Sequence, residues 1–328
     1  MRAVTRRLAL FMTAASAAVL AAPAALAQAA IKLSGSPGNL LKRRKRVAVP
    51  AYHVTFIMQQ QATAVAGIGA RTRLNTVLTG ISEQQMRRLT DEAYADLVAK
   101  LKAAGVDVVS AEEARSIAAG VEAVPGNRDI QQVGPTITIG KSIKAGWAAF
   151  GASEAPLLKP YHNPGSPTGA TGLAALGANG KLGGAAKAID ASALIPALTI
   201  DYADMEAKTG VGMLGGAKAS VGGTVQFSLR AVSSATLVGQ EDRGAAYAMG
   251  WRMTKDLVIP APFAAVDTGG AGVREGSMTA EADENYVMRD RARGDAIRAD
   301  PAAWEGLVRQ AFTAFNTAVV GEVRKAKA

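Results

Sequence analysis

The chain has 328 residues, 37 lysines and arginines against 27 acids, and a formal net charge of +10. It has no cysteine and two histidines. Disulfides, thiol nucleophiles, iron–sulfur ligation, attachment through a lipidated cysteine and a histidine-rich zinc site are therefore excluded. A basic surface favours anionic partners such as lipid headgroups, lipopolysaccharide, nucleic acid or acidic polymer; solubility through like-charge repulsion is the competing reading.

Residues 1–27 read as an export signal. Arg2, Arg6 and Arg7 give a positive start, an apolar run opens at Leu8 and reaches Leu20, and Ala25-Leu26-Ala27 supplies the small residues of a cleavage site. The expected location is periplasmic or secreted, with outer-membrane association left open. Thr5-Arg6-Arg7-Leu8 partly resembles a twin-arginine signal, but Ala9 stands where that signal prefers a bulky apolar residue, so the ordinary export route is favoured. No later apolar run reaches the length of a transmembrane helix, about 18 residues. The weak alternation of a membrane barrel is not excluded by this.

Residues 28–46 read as a basic linker. Ser34–Asn39 is turn chemistry, and Lys42-Arg43-Arg44-Lys45-Arg46 is an unbroken basic run. An α/β region is expected over 47–155. Val54, Phe56 and Met58 share one face of a strand, as do Leu74, Thr76 and Leu78, and the Gly-containing stretch between suits a hairpin. Ser82 with Gln85 forms a capping box. Tyr94, Leu97, Val98 and Leu101 recur at helical spacing, and Gly105 suits the left-handed stop. Val106–Val109 reads as a short buried strand, and Ser110 with Glu113 opens a helix to about Ala119. Thr136–Ile139 reads as a strand.

Residues 156–188 are dominated by Gly, Ala, Pro and Leu and read as a long loop. A β-rich region over 189–328 follows, able to form one domain with 47–155. Its strands are marked by Leu198, Ile200 and Tyr202, by Val225, Phe227 and Leu229, and by Met249–Ile259; Gly269–Gly272 is a turn. Asp300 caps a final helix and Pro301 suits its first position. Trp304, Leu307, Val308, Ala311, Phe312, Phe315 and Val319 form its apolar face, and Glu322–Lys327 is expected to fray. The expected class is α/β or α+β: a mixed β-sheet with flanking helices, a long C-terminal helix and a Gly/Pro-rich excursion in the middle.

Gly140-Lys141-Ser142 fails as a phosphate loop because Pro135 stands where the first glycine is needed. Gly210-Val211-Gly212-Met213-Leu214-Gly215 matches a dinucleotide fingerprint, but Gly216 and Gly222-Gly223 follow instead of an amphipathic helix. It reads as a Gly-rich loop. Gly151-Ala152-Ser153-Glu154-Ala155 fails as a nucleophile elbow at its last position. A dispersed Ser/His/Asp site would need His53 or His162. His53 lies in a strand and reads as structural. His162 lies in a turn, which makes Tyr161 and His162 the candidate polar site. Asp201, Asp204 and Glu206 follow an apolar strand and read as its solvated end, with Asp201 and Asp204 on opposite faces.

Lys42, Arg43, Arg44, Lys45 and Arg46 are the candidate anionic-surface residues, since each cation near an anionic bilayer contributes about 1 kcal/mol. No aromatics interleave with them, which argues against stacking on single-stranded nucleic acid. A solvated linker is the competing reading.

The strand from Val47, the helix Asp91–Ala104 and the Gly105-Val106-Asp107-Val108-Val109 return carry a family resemblance. In order and texture, Val47–Ala119 resembles the periplasmic domains of the curli-secretion channel family and the amino-terminal domain of the TolB family. The resemblance implies an envelope-associated, non-catalytic α/β domain. The channel family's lipidated cysteine is absent, and no site residue carries over.

The leading expectation is a non-enzymatic periplasmic or outer-envelope protein with a binding or assembly role. The alternatives are an exported hydrolase with a dispersed site, and electrostatic attachment to lipopolysaccharide or acidic polymer through the basic run. Expected partners are an envelope protein or an anionic surface, without specific nucleic acid, and homo-oligomerisation is open. No metal and no cofactor is expected.

Overall fold

The computed structural model describes residues 31–37, 39–66, 70–131, 138–140, 143–162, 172–211, 217–241, 244, 246–267, 277–283 and 290–327. The leader, Lys141-Ser142, most of the Gly210–Gly215 motif and the Gly269–Gly272 turn lie outside them.

β1 (Leu33–Ser36) and β2 (Arg46–Ala48) bracket the basic run, and β3 (His53–Ala66) and β4 (Ala70–Thr79) follow. Next come α1 (Glu83–Ala103), β5 (Asp107–Val108) and α2 (Ala111–Ala118). β6 (Arg128–Gln131), β7 (Thr138–Gly140) and β8 (Ile143–Gly151) lead through a 3-10 turn at Lys159–Tyr161 to α3 (Gly172–Ala188). Then come β9 (Ala191–Val211), β10 (Ala217–Leu229), β11 (Ser234–Gln240) and β12 (Ala246–Met253). β13 (Leu257–Ile259), β14 (Ala264–Asp267), β15 (Ser277–Asp283) and β16 (Asp290–Ala299) precede α4 (Pro301–Lys327). This is the mixed sheet with flanking helices and a C-terminal helix that the sequence predicts.

Side-chain alternation makes three layers. In the first half of β9, Ala191, Ala193 and Ile195 face a core built with α2 and α3. Leu194, Leu198 and Ile200 face the larger core under α1 and α4. A strand covered on both faces reads as a continuous apolar run, which Ala191–Ile200 is except at Ser192 and Thr199. The caps form as predicted. Ser82 with Gln85 and Ser110 with Glu113 close full capping boxes, and Gly105 sits at φ +77.

Four expectations change. The 156–188 stretch is not one loop, because α3 occupies its second half. Ala178, Leu182 and Ala186 form a narrow buried stripe at helical spacing. A Cβ on Gly183 would stand 3.0 Å from both the Gly239 carbonyl carbon and the Ala246 Cβ. The glycines that weaken helix propensity thus let the helix lie directly on β11 and β12. The expected strand Met249–Ile259 is two strands, split where Asp256 turns inward to accept from Ala231 N–H at 2.6 Å. The α4 tail does not fray: Lys327 Nζ donates to the Arg44 and Lys45 carbonyls at 3.1 and 2.8 Å. The stretch read as a linker carries β1, antiparallel to β12, and sinks Leu40 and Leu41 into the core.

α1 and α4 run parallel. Gln85 and Arg88 meet Glu305, Glu92 meets Arg309, and Asp96 meets Asn316. Asn316 is fully buried among the apolar residues of α4. Its amide nitrogen donates to Ala93 O and Asp96 Oδ2, both at 2.9 Å, and its oxygen accepts from Tyr52 Oη at 2.9 Å. Removing it strands the buried Tyr52 hydroxyl and cuts the tie between α4 and the Ala93 carbonyl and Asp96 of α1. Asn316→Ala is expected to lower the unfolding free energy by about 2–3 kcal/mol, read by urea titration; a loss under about 0.5 kcal/mol would show that Asn316 does not join these elements.

Candidate functional site

The site is the place where the sheet divides. β9 has β2 and then β3 along one side, and β11 and then β10 along the other. β3 pairs with β9 in parallel from His53↔Ala197 to Phe56↔Ile200. It then takes β4 as neighbour, from Gln59↔Val77 to Ala66↔Ala70. A register shift against β8 between Ile57 and Gln59 marks the bend. β9 continues with β10 as far as Val211↔Ala217. Beyond Ile200 the sheet therefore divides into two branches, each built on a hairpin: β3–β4, extended by β8 and β16, and β9–β10, extended by β15.

A polar cluster fills the fork. Gln60 is buried, and its amide nitrogen donates to Asp201 Oδ1 at 2.5 Å and to Ala203 O at 3.1 Å. Asp201 Oδ1 also accepts from Tyr202 N at 2.7 Å. The Tyr202 hydroxyl donates to Thr76 O at 2.9 Å and lies 2.7 Å from Thr76 Oγ1, which reaches across to β4. Side chains thus take over the backbone groups that the departing strands leave behind. Asp201 Oδ2 has no hydrogen bond, and Arg230 Nη1 stands 3.6 Å from it while also pairing with Asp256 at 3.1 Å.

Asp201 is not a solvated strand end. It is 1% exposed, because the fork lies inside the molecule, whereas Asp204 and Glu206 farther along β9 are exposed. Sequence reasoning missed Gln60, Thr76 and Arg230 as members of one cluster. The available signal was Gln59-Gln60-Gln61, an unbroken polar triplet that interrupts the alternation of its strand.

Outward from the fork the hairpins pack by apolar residues. Ala62, Ala64, Leu74, Leu78, Met205, Ala219 and Val221 are buried. Thr63, Asn75, Asp204, Glu206 and Lys208 alternate with them toward solvent. Among the described residues, no strand pairs with residues 201–211 of β9 on the side that β3 has left.

The other predicted residues fall into two separate places. His162 Nε2 lies 2.8 Å from Asp129 Oδ2, and the Tyr161 hydroxyl donates to Asn179 Oδ1 on α3 at 2.5 Å. His53 is buried, its Nε2 accepting from Leu158 N–H at 3.1 Å. Burial, helped by nearby His162, holds the His53 imidazole down to about 3. Ser153 faces Asp91 instead, through both its N–H and its hydroxyl. In the basic run, Arg46 pairs with Glu113 through two contacts of 2.9 and 2.8 Å, Arg44 lies 3.8 Å from Asp190, and Arg43 lies 3.3 Å from Glu241. Lys42 and Lys45 are exposed. No group of three or more possible metal ligands exists among the described residues. No helix among them is long and apolar enough to cross a membrane.

No protein-family model, curated protein or solved structure matches the chain.

Burial pushes the Asp201 carboxyl up to about 6, against the opposing pull of Arg230, two backbone N–H groups and Gln60. Because the folded value lies above the unfolded one, the fold prefers the protonated acid. The cost is absent at low pH and grows as the pH rises from about 4 through about 6. Asp201→Asn keeps an oxygen for the N–H groups and removes the charge. Its stability relative to the parent is expected to rise by about 2–3 kcal/mol between about pH 4 and pH 8. The His53 contribution runs the other way, being lost as pH falls below about 6.5, but it is common to both proteins and cancels. Urea titrations at the two pH values read the difference, and a difference that does not change with pH contradicts an ionisable buried Asp201.

Proposed function

We propose that the chain is an exported, non-enzymatic protein of the periplasm or outer envelope whose role is to bind or assemble with an envelope partner. The observation that carries this reading is the outer edge of β9. β9 is 21 residues long, whereas strands average about 5–6 residues. At about 3.3 Å per residue it extends on the order of 70 Å. Its first half is flanked by strands on both sides; in its second half Tyr202, Ala203 and Met205 still face the core, but among the described residues no strand pairs with one edge. Such an edge offers backbone donors and acceptors to an incoming strand, which is how many binding domains take an extended partner. Asp204, Glu206 and Lys208 stand exposed along it, the charges that keep an edge from pairing indiscriminately. The leader-like residues 1–27 and the resemblance of Val47–Ala119 to envelope-protein domains support the location.

Cell fractionation followed by light scattering on a sizing column tests the reading. The chain is expected in the envelope fraction, in a complex heavier than its own 33.6 kDa. Recovery as a soluble monomer, with nothing bound, would remove it.

A further inference from the structure

Three helices end at one pole of the molecule, and each ends on cations. α1 finishes with Lys100 and Lys102, α3 with Lys187, and α4 with Arg324, Lys325 and Lys327. The basic run lies among these ends. Lys327 holds the carbonyls of Arg44 and Lys45. Arg46 is the register partner of Asp107, just after α1, and its N–H donates to Asp190 O, just after α3. Lys187 donates to Glu241 O, beside the Gln240 carbonyl that Arg44 holds. A charge run that looks isolated in the sequence is therefore the centre of a composite basic face.

Most acids of this pole are engaged, and Glu112, beside Glu113 at the start of α2, is the exposed exception. Glu113 pairs with Arg46, Asp190 with Arg44, Glu241 with Arg43, Glu322 with Lys325 and Asp96 with Lys100. Asp107 lies 3.9 Å from Arg46. Lys42, Lys45, Lys102 and Arg324 are exposed and have no acidic partner among the described residues. Helix ends attract cations for their own sake, but Lys42 and Lys45 lie on no helix, so dipole compensation does not account for them. No exposed aromatic side chain occurs among the described residues, so the face lacks the stacking surface that single-stranded nucleic acid uses.

We propose that this pole docks on an anionic bilayer surface through Lys42, Lys45, Lys102 and Arg324, with the paired arginines of the run behind them. The proposal is independent of the β9 edge, which a partner can occupy whether or not the pole touches lipid. Clustered cations near anionic headgroups add roughly equal increments, and salt screens them over about 8 Å at physiological strength.

Vesicle flotation tests it. The full chain is mixed with vesicles containing phosphatidylglycerol, or of phosphatidylcholine alone, at low and high salt. The parent is expected to float with the first and not the second, and to be released by salt. Lys42→Gln, Lys45→Gln, Lys102→Gln and Arg324→Gln together are expected to weaken binding by on the order of a thousandfold. Thermal unfolding checks that this variant is folded; the four positions are exposed, so little loss is expected. A control variant loses four cations elsewhere, at Lys159, Lys208, Lys218 and Arg252, and is expected to float like the parent. The proposal is overturned if the parent ignores phosphatidylglycerol or floats equally with phosphatidylcholine. It is also overturned if the pole variant binds like the parent, or if the control loses as much as the pole variant.

Discussion

A strand has two edges, and every buried N–H and C=O on them needs a partner. β9 satisfies this up to Ile200 with β2 and β3 on one side and β11 on the other. At that point β3 turns to β4, and the ladder on one side of β9 stops inside the molecule. Gln60, Asp201, Tyr202 and Thr76 take up what the ladder releases. The division of the sheet into two branches, the burial of an ionisable acid and the outer edge of β9 that is unpaired among the described residues all follow from that exchange of neighbours.

The helix layers keep the fork in place. Phe56, immediately before the β3 bend, packs on Trp304 of α4 with ring centroids 5.5 Å apart and on Phe150 of β8 at 6.2 Å. α4 is tied to α1 by Asn316 and by the Glu305 and Arg309 ion pairs. The basic pole is where these helices and α3 finish, joined to the run by Lys327. The envelope-facing features proposed for this chain are thus the outer edge of β9 and the ends of its helices.

Local signals in the sequence located what they govern locally. Ser82, Ser110, Gly105 and Asp300 marked helix ends because capping needs only a few neighbouring residues. The apolar face from Trp304 to Val319 marked α4 because its period is strong. α3 escaped because glycine and alanine read as a loop, while their close approach to Gly239 needs a strand from elsewhere in the chain. Asp201 escaped for the same reason. Alternation alone places it at a wet strand end, and only the departure of β3, set by pairings across well over a hundred residues, puts it inside. Among the candidate residues, the basic run was visible as a charge block, but its meeting with three helix ends is a product of topology.

Amide hydrogen exchange along β9, on chain diluted to its monomer, tests the fork most directly. Amides of residues 193–195 and 197–200, in the part of β9 enclosed by β2, β3, β11 and β10, are expected to be protected. From residue 204 to residue 211 every second amide, the ones turned away from β10, is expected to exchange fast. Uniform protection from 193 to 211 would mean that another strand continues beside β9, and the division of the sheet at Gln60 and Asp201 would be wrong.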